Sequence, residues 1–544
     1  MKIKSLLVGM LACTAMVSCT NDDVLENNNV VNQAGEKSYV AVNIVTPNSI
    51  SGRAAEDFLP GSSDEITVNG AVFLFLNGEF GGCATPCYVS GDELKAWSNV
   101  TDDGKDVISS PVLVIENEKQ VPSYIVAILN PVGGENHGYN ETTSLEDLKD
   151  ETATYASIQD GFVMTNSVYV DQNGKQIFAT PISIENIKGD SDKALENAVT
   201  IPVERIVAKV NVYNQDKAAA AWKVSRETNA GQTIEIENNQ TKTLSLNILG
   251  WEVLQNKESH TIKNIKQTAQ WAFNWANWSD YTKQRSYWAD DYDLGGRTEY
   301  KPSAMNSLAA KYVEETVNQN TTDIERTQNP YLIIKGQFVD ENNEAVSLVE
   351  WKGQKYTEEG YLNLIAGNAN VAKYWYLESE NNGVKKYATF DSSFLTLQKN
   401  YQGTDWKAIA ILSEECPAEF YTESFDANGN FVATDNNKVD ASVVAKEVEK
   451  FGEVQYWNTG YTYFYTPIQH SIIEDVNDNV FNGVVRNHYY DIKINSIVGF
   501  GTPISNPDFA IDKPEDPTGS ETYLAAEVVI LEWKVVNNSV DLGE

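Results

Sequence analysis

From Lys37 onward, apolar and polar positions alternate. Val40, Val42 and Ile44 take one phase and Ala41, Asn43 and Val45 the other, which predicts a strand. Pro47 ends it, and Asn48-Ser49-Ile50-Ser51-Gly52-Arg53-Ala54-Ala55 reads as an exposed loop. Further strands are expected over Ala71–Leu76, Val112–Ile115, Tyr124–Leu129, Ile177–Ile184 and Ile201–Val212. Asp171-Gln-Asn-Gly174 has the Asn-Gly signature of a hairpin turn. Leu244, Leu246 and Ile248 alternate, and Trp251 and Val253 continue the strand past a break at Gly250.

The second half repeats the pattern at Tyr331–Val339, Val346–Trp351, Lys407–Leu412, Tyr461–Tyr465 and Tyr489–Val498, with turns at Asp340-Glu-Asn-Asn343 and Asp426-Ala-Asn-Gly429. Two short helices are expected. One covers Ser303–Thr316, with Met305, Leu308 and Tyr312 at helical spacing. The other follows Asp440 as N-cap, sets Val444, Val448 and Phe451 on one face, and stops at Gly452. Between the halves, His260–Tyr300 is dense in Trp and Tyr without clean alternation, so a domain boundary is expected near its start. Near the C-terminus, Val528-Val529-Ile530-Leu531 is apolar on both faces, as in a strand covered on both sides. Trp533 and Val535 then take one phase and Val536, Val540 and Leu542 the other. An apolar strand at a free end is an aggregation hazard unless something covers it.

Charge and composition exclude several classes. Lys and Arg number 41 against 77 Asp and Glu, a net charge of −36. That balance opposes nucleic acid, whose phosphates need clustered cations, and electrostatic docking on anionic lipid. Apolar residues at 42% and aromatics at 10% are too many for a disordered acidic chain. At 544 residues, two or three domains are expected. No domain-length alternation of strand and helix suggests a Rossmann or barrel enzyme. Gly-rich phosphate loops and HExxH or GxSxG motifs are absent. Asp475-Val-Asn477-Asp478-Asn479 opens like a calcium loop, but Val480 and Arg486 stand where the loop needs Gly and an acid. Acidic pairs such as Glu414-Glu415 and Asp290-Asp291 arise by chance among so many carboxylates. The run Trp271, Phe273, Trp275, Trp278, Tyr281, Tyr287, Trp288, Tyr292 suits either an irregular core segment or a sugar-stacking surface. No metal or cofactor is called for.

The N-terminus reads as an address. Lys2 and Lys4 precede an apolar run from Leu6 to Val17, too short to span a bilayer, which ends in Ser18-Cys19. A small residue directly before Cys is the pattern of a bacterial lipoprotein signal, with Cys19 as the lipidated residue. The polar stretch to Glu36 reads as a tether. Cys83-Ala-Thr-Pro-Cys87 admits a small disulfide loop, two free thiols or a metal site, with Cys416 left over.

Several segments together resemble the FimA/Mfa-type fimbrillins, the lipoprotein-derived pilins of type V pili. In the first half these are the lipoprotein start, the Arg-Ala loop, Ile128-Leu129-Asn130-Pro131, Phe162-Val163-Met164-Thr165-Asn166-Ser167 and Val203-Glu204-Arg205-Ile206-Val207-Ala208-Lys209-Val210. In the second they are Arg285-Ser-Tyr-Trp-Ala289, Arg486-Asn-His-Tyr-Tyr490 and Val529-Ile-Leu-Glu-Trp533. The resemblance implies a mainly β fold of two transthyretin-like Greek-key β-sandwich domains with a few short helices. It divides the chain into a signal peptide (1–18), a lipidated propeptide with the first strand (19–53), an N-terminal domain (54–260) and a C-terminal domain (261–544).

It further implies lipidation at Cys19, cleavage between Arg53 and Ala54 by an Arg-specific protease, and loss of the strand bearing Val40, Val42 and Ile44. Polymerisation would follow by strand exchange, with Trp533, Val535, Val536, Val540 and Leu542 on the donor strand. The implied partners are other copies of the chain, accessory pilins and a host or bacterial surface receptor. The outer membrane holds the lipidated precursor, and the mature form resides in extracellular fimbriae. The expected role is a structural shaft subunit supporting adhesion and biofilm formation, not an enzyme. Two alternatives remain: a monomeric cell-surface glycan-binding lipoprotein, and a tip or anchor pilin of the same system.

Overall fold

The structure is a computed structural model. It describes residues 38–45, 65–96, 107–131, 138–154, 161–214, 223–261, 304–317, 330–400, 406–471, 480–504, 523–530 and 537–540, apart from short gaps within these ranges. The described part is mainly β, with few short helices.

The first sheet is built around strand Gly70–Asn77, whose residues Ala71 to Leu76 are all buried. Alternation sends its side chains to two cores. Ala71, Phe73 and Phe75 pack with Val40, Val42 and Leu113, whereas Val72, Leu74 and Leu76 pack with Leu145, Leu148 and Phe162. In order, the sheet runs Gly81–Gly82, Gly70–Asn77, Tyr124–Leu129, Met164–Asn166, Val199–Arg205, Ser38–Val45 and Val107–Ser109. The expected Asn-Gly hairpin is supported by antiparallel pairing of Tyr169–Val170 with Gln176–Ile177. The expected strand Ile177–Ile184 is interrupted: only Thr180–Pro181 extends it, and residues 184–186 turn.

Sheet membership changes at Ile206. Val199–Arg205 belongs to the first sheet, but Val207–Asn214 runs parallel to Tyr489–Val498. The strands between 207 and 254, expected in the first domain, thus pair mainly with the second half of the chain. The pairing divides the chain near 206 rather than at 260. The apolar phase shifts there, from Ile201 and Val203 to Ala208, Val210 and Val212, but with one residue between the strands the sequence reads as a single strand over Ile201–Val212.

Two facing sheets form the second body. One runs Lys311–Glu314, Val207–Asn214, Tyr489–Val498, Tyr523–Ile530, Asn537–Val540. The other runs Lys223–Ser225, Ser245–Leu254, Tyr331–Val339, Tyr461–Pro467, Thr502–Pro503. They share one core, in which Val210, Val212, Ile492 and Ile494 meet Leu246, Trp251, Ile334 and Phe464. The expected break at Gly250 is a bulge in a continuous strand. A Cβ there would lie 2.5 Å from the Met305 carbonyl oxygen, so the close approach of the chain at Met305 requires glycine.

The helix expected over Ser303–Thr316 does not form. Lys311–Glu314 is a strand antiparallel to Val207–Val210, and Thr316–Val317 is another. Val313 faces the core, and the open edge of Val207–Asn214 overrides the helical spacing. The second expected helix is present as Ala441–Val448. The Asp440 carboxylate accepts from the Ser442 N–H, Val444 and Val448 are buried, and Gly452 closes the following turn at φ 76°.

Between Tyr331–Val339 and Tyr461–Pro467, which pair directly, residues 340–460 leave the sandwich and return. They contribute most of a seven-stranded sheet and all of a four-stranded one, and build a separate core on Tyr361, Phe420, Val444 and Tyr456. Their strands look locally like any others, so the sequence reading merged this module with its host domain. The expected turns are there: Asn343 and Gly429 donate to the carbonyls of Asp340 and Asp426.

A candidate assembly groove and the seam behind it

The first strand is internal. Ser38–Val45 pairs in parallel with Val199–Arg205, from Val42↔Val199 to Val45↔Pro202. Its other edge pairs antiparallel with Val112–Ile115 and Val107–Ser109. Val40, Ala41 and Val42 have no exposed surface. Ile44 sits opposite Ile201 and Ser109. Removing this strand therefore opens a slot with unpaired backbone on both sides and an apolar floor. Cys19, Arg53 and Ala54 lie outside the described residues, as do the 271–292 aromatic run and the calcium-like segment.

At the C-terminal end, Asn537–Val540 lies antiparallel on Tyr523–Ile530, with Val540 opposite Ala526. It is the last strand of its sheet and pairs with one neighbour there. Trp533, Val535, Val536 and Leu542 lie outside the described residues.

Cys83 and Cys87 are free thiols, as is Cys416, so the disulfide alternative is not realised. Cys83 donates its N–H to the Phe75 carbonyl, while Cys87 stands opposite Phe73. Two residues along a strand are about 7 Å, just beyond the usual disulfide Cα span. Burial pushes the Cys87 thiol up to about 11.

Among the described residues, several of the short motifs that carry the resemblance prove to be one another's neighbours. Ile128 and Leu129 pair with Thr165 and Met164. The Asn130 amide donates to the Phe162 and Thr67 carbonyls, and Asn166 accepts from the Ala127 N–H. Likewise Val203–Val210 meets Arg486–Tyr490. The Lys209 N–H donates to the His488 carbonyl and the Asn487 N–H to the Val207 carbonyl, and the Arg205 guanidinium donates to Asn487 Oδ1 at 3.1 Å. Tyr490 and Asp491 pair in turn with Ile530 and Val529.

Two buried polar clusters flank this seam, and the sequence reading singled out neither. Glu65, 1% exposed, accepts from Lys209 Nζ and the Tyr312 hydroxyl at 2.6 Å each, and its carbonyl accepts from Arg205 Nε. Burial drives the phenols of Tyr489 and Tyr490 above their ordinary range. Arg486 Nε lies 2.8 Å from Glu315, both side chains being under 10% exposed. Because a buried ion left alone is costly, Glu315→Ala is expected to lower the unfolding free energy by about 3–5 kcal/mol in denaturant titration. The double change Glu315→Leu with Arg486→Met should recover most of that loss. A single-variant loss below about 1 kcal/mol would match an exposed pair and refute the assignment.

Residues 455–539 match the family model described as major fimbrial subunit protein type IV, fimbrillin, C-terminal. The match begins in Glu453–Trp457, where the inserted module returns to its host, and ends within Asn537–Val540. Over those residues it bears out the resemblance to FimA/Mfa-type fimbrillins. No curated protein matches the chain as a sequence relative. Solved structures similar to it include the tip fimbrial protein Mfa3 from Porphyromonas gingivalis with a C-terminal truncation, at 10% identity and TM-score 0.32, covering 91% of this chain and all of that one. A fimbrial assembly protein from Parabacteroides distasonis is 9% identical with TM-score 0.29, covering 55% of this chain and 81% of that chain.

Proposed function

We propose that the chain is a shaft subunit of a fimbria, exported as a lipoprotein, cleaved after Arg53 and polymerised by donor-strand exchange. The observation that carries this reading is the first strand: it is internal, fully buried at Val40–Val42, and belongs to the segment that cleavage at Arg53 would free. Its departure leaves a two-sided slot that a strand of another copy fills. The contact is head-to-tail and does not close on itself, so it propagates as a filament. Residues 1–53 carry equal numbers of acidic and basic side chains, so the processed chain keeps its charge of −36 and its solubility.

Electron microscopy and unboiled denaturing gels of the Arg-protease-treated protein test the proposal. Filaments and a heat-sensitive ladder are expected, and a persistent monomer would refute it. Lipidation at Cys19 is tested separately: Cys19→Ala should abolish fatty-acid labelling and retention at the outer membrane. Undiminished labelling of that variant would place the acyl chains elsewhere.

A further inference from the structure

The inserted module carries an aromatic face on its outer sheet. Strand Tyr374–Asn381 turns Tyr374 inward and Trp375 and Leu377 to the other side. Tyr421 stands opposite Trp375, and Tyr387 opposite Leu377, on the same outer side. Between strands Glu419–Thr422 and Lys438–Asp440 the chain forms an arm, held by a Val432 N–H to Ser424 carbonyl bond and by the Asp426 turn. This arm lays Phe431 flat on Trp375, with ring centroids 4.3 Å apart and 8° between planes, and sets Phe425 edge-on to both. Phe425 stays 51% exposed. The module's own core lies on the opposite side of this sheet, so these rings are not needed to fill it. Exposed apolar clusters of this kind mark contact sites.

Charge and size select the occupant. The flanking lysines are matched: Lys386 with Glu378 at 2.5 Å, Lys438 with Glu419 at 2.6 Å, and Lys385 across the strands from Glu380. The Asp426 carboxylate is engaged by the N–H groups of Asn428 and Asn430. An anionic partner thus finds its counter-charges already taken, and a chain of net charge −36 repels polyanions. Six side chains are also far fewer than the roughly 20–30 residues a stable protein interface uses per side. What fits is a small neutral ligand with apolar faces and hydroxyl edges. Polar groups for those edges are at hand. Thr389, opposite Trp375, is exposed, and its hydroxyl can serve those edges.

We propose that this face binds a neutral sugar, pyranose rings stacking on the Trp375–Phe425–Phe431 cluster. The function is independent of assembly and makes the shaft itself adhesive. The test is a printed array of neutral oligosaccharides ending in glucose, galactose, mannose or N-acetylhexosamine, probed with the full-length monomer. Affinities are then measured by tryptophan fluorescence with the sugars that bind. Binding of one such class is expected. Phe425→Ser, at an exposed position, should leave the melting temperature unchanged and weaken binding about tenfold or more, as loss of a central contact ring does. Trp375→Phe keeps a ring beneath Phe431 and should weaken binding less. Any of three results would overturn the proposal: no neutral sugar bound at millimolar concentration, binding confined to sialylated or sulfated probes, or sugar binding unaffected by Phe425→Ser. Because the readout uses monomer, its failure says nothing against filament assembly, and failure of assembly says nothing against it.

Discussion

Arg53→Ala should hold the protein as a monomer in which the first strand never leaves its slot. Val40 and Val42 are fully buried, and burial of each such side chain contributes about 1.5–3 kcal/mol. The backbone of the strand is paired along both edges. While the chain is continuous through Arg53, any strand that slips out returns faster than a second molecule can enter, because its effective concentration is high. Cleavage removes that advantage. The remaining chain stays anchored, since Glu65 is held by Arg205, Lys209 and Tyr312 a short distance beyond the cut. Light scattering after exposure to an Arg-specific protease checks the expectation: wild type grows into polymer and the variant elutes as a single species. Polymer of full length from Arg53→Ala, or a mature N-terminus at Cys19 on the cell surface, would refute it.

Removing the residues after Val536 should leave the sheets folded and stop polymer growth. Among the described residues of the monomer, Asn537–Val540 has one paired neighbour, Tyr523–Ile530. In the slot of another copy the same strand would have two, Val199–Arg205 and Val112–Ile115, and an apolar floor beneath. Burial of Trp533, Val535, Val536, Val540 and Leu542 there contributes on the order of 8–12 kcal/mol gross, part of which is offset by the cost of association. Val540→Asp should act like the truncation, because an unpaired carboxylate in an apolar slot costs several kcal/mol. A peptide spanning Trp533–Leu542 should bind the cleaved monomer and block extension. Thermal melting and electron microscopy read both variants. If the truncated protein unfolds, the segment is part of its own domain's core. If it still forms full-length filaments, the donor strand lies elsewhere.

Much of the local structure is legible in the chain. The unbroken apolar run Ala71–Leu76 marks a strand, and the strand is buried on both faces because it serves two cores. Asp440 and Gly452 mark the ends of a helical segment through capping chemistry that is local by nature. The same reading fails at Lys311–Glu314, where the helical spacing of Met305, Leu308 and Tyr312 loses to pairing with a strand distant in sequence. It also merges residues 340–460 with their host, because only the pairing of Tyr331–Val339 with Tyr461–Pro467 reveals that the chain departs and returns.

The sequence by itself determined the β class, the internal apolar phase of the first strand, the acidic surface and the order of the fimbrillin-like motifs, since each depends on neighbouring residues or on composition. Only the tertiary structure decided that these motifs touch, that sheet membership switches at Ile206, and that Glu65 meets Lys209 while Glu315 meets Arg486. It alone assembled Trp375, Phe425 and Phe431 into one face. Such contacts join residues far apart in the chain. Their formation depends on which strand edges remain open once the others have paired, which no local pattern of side chains records.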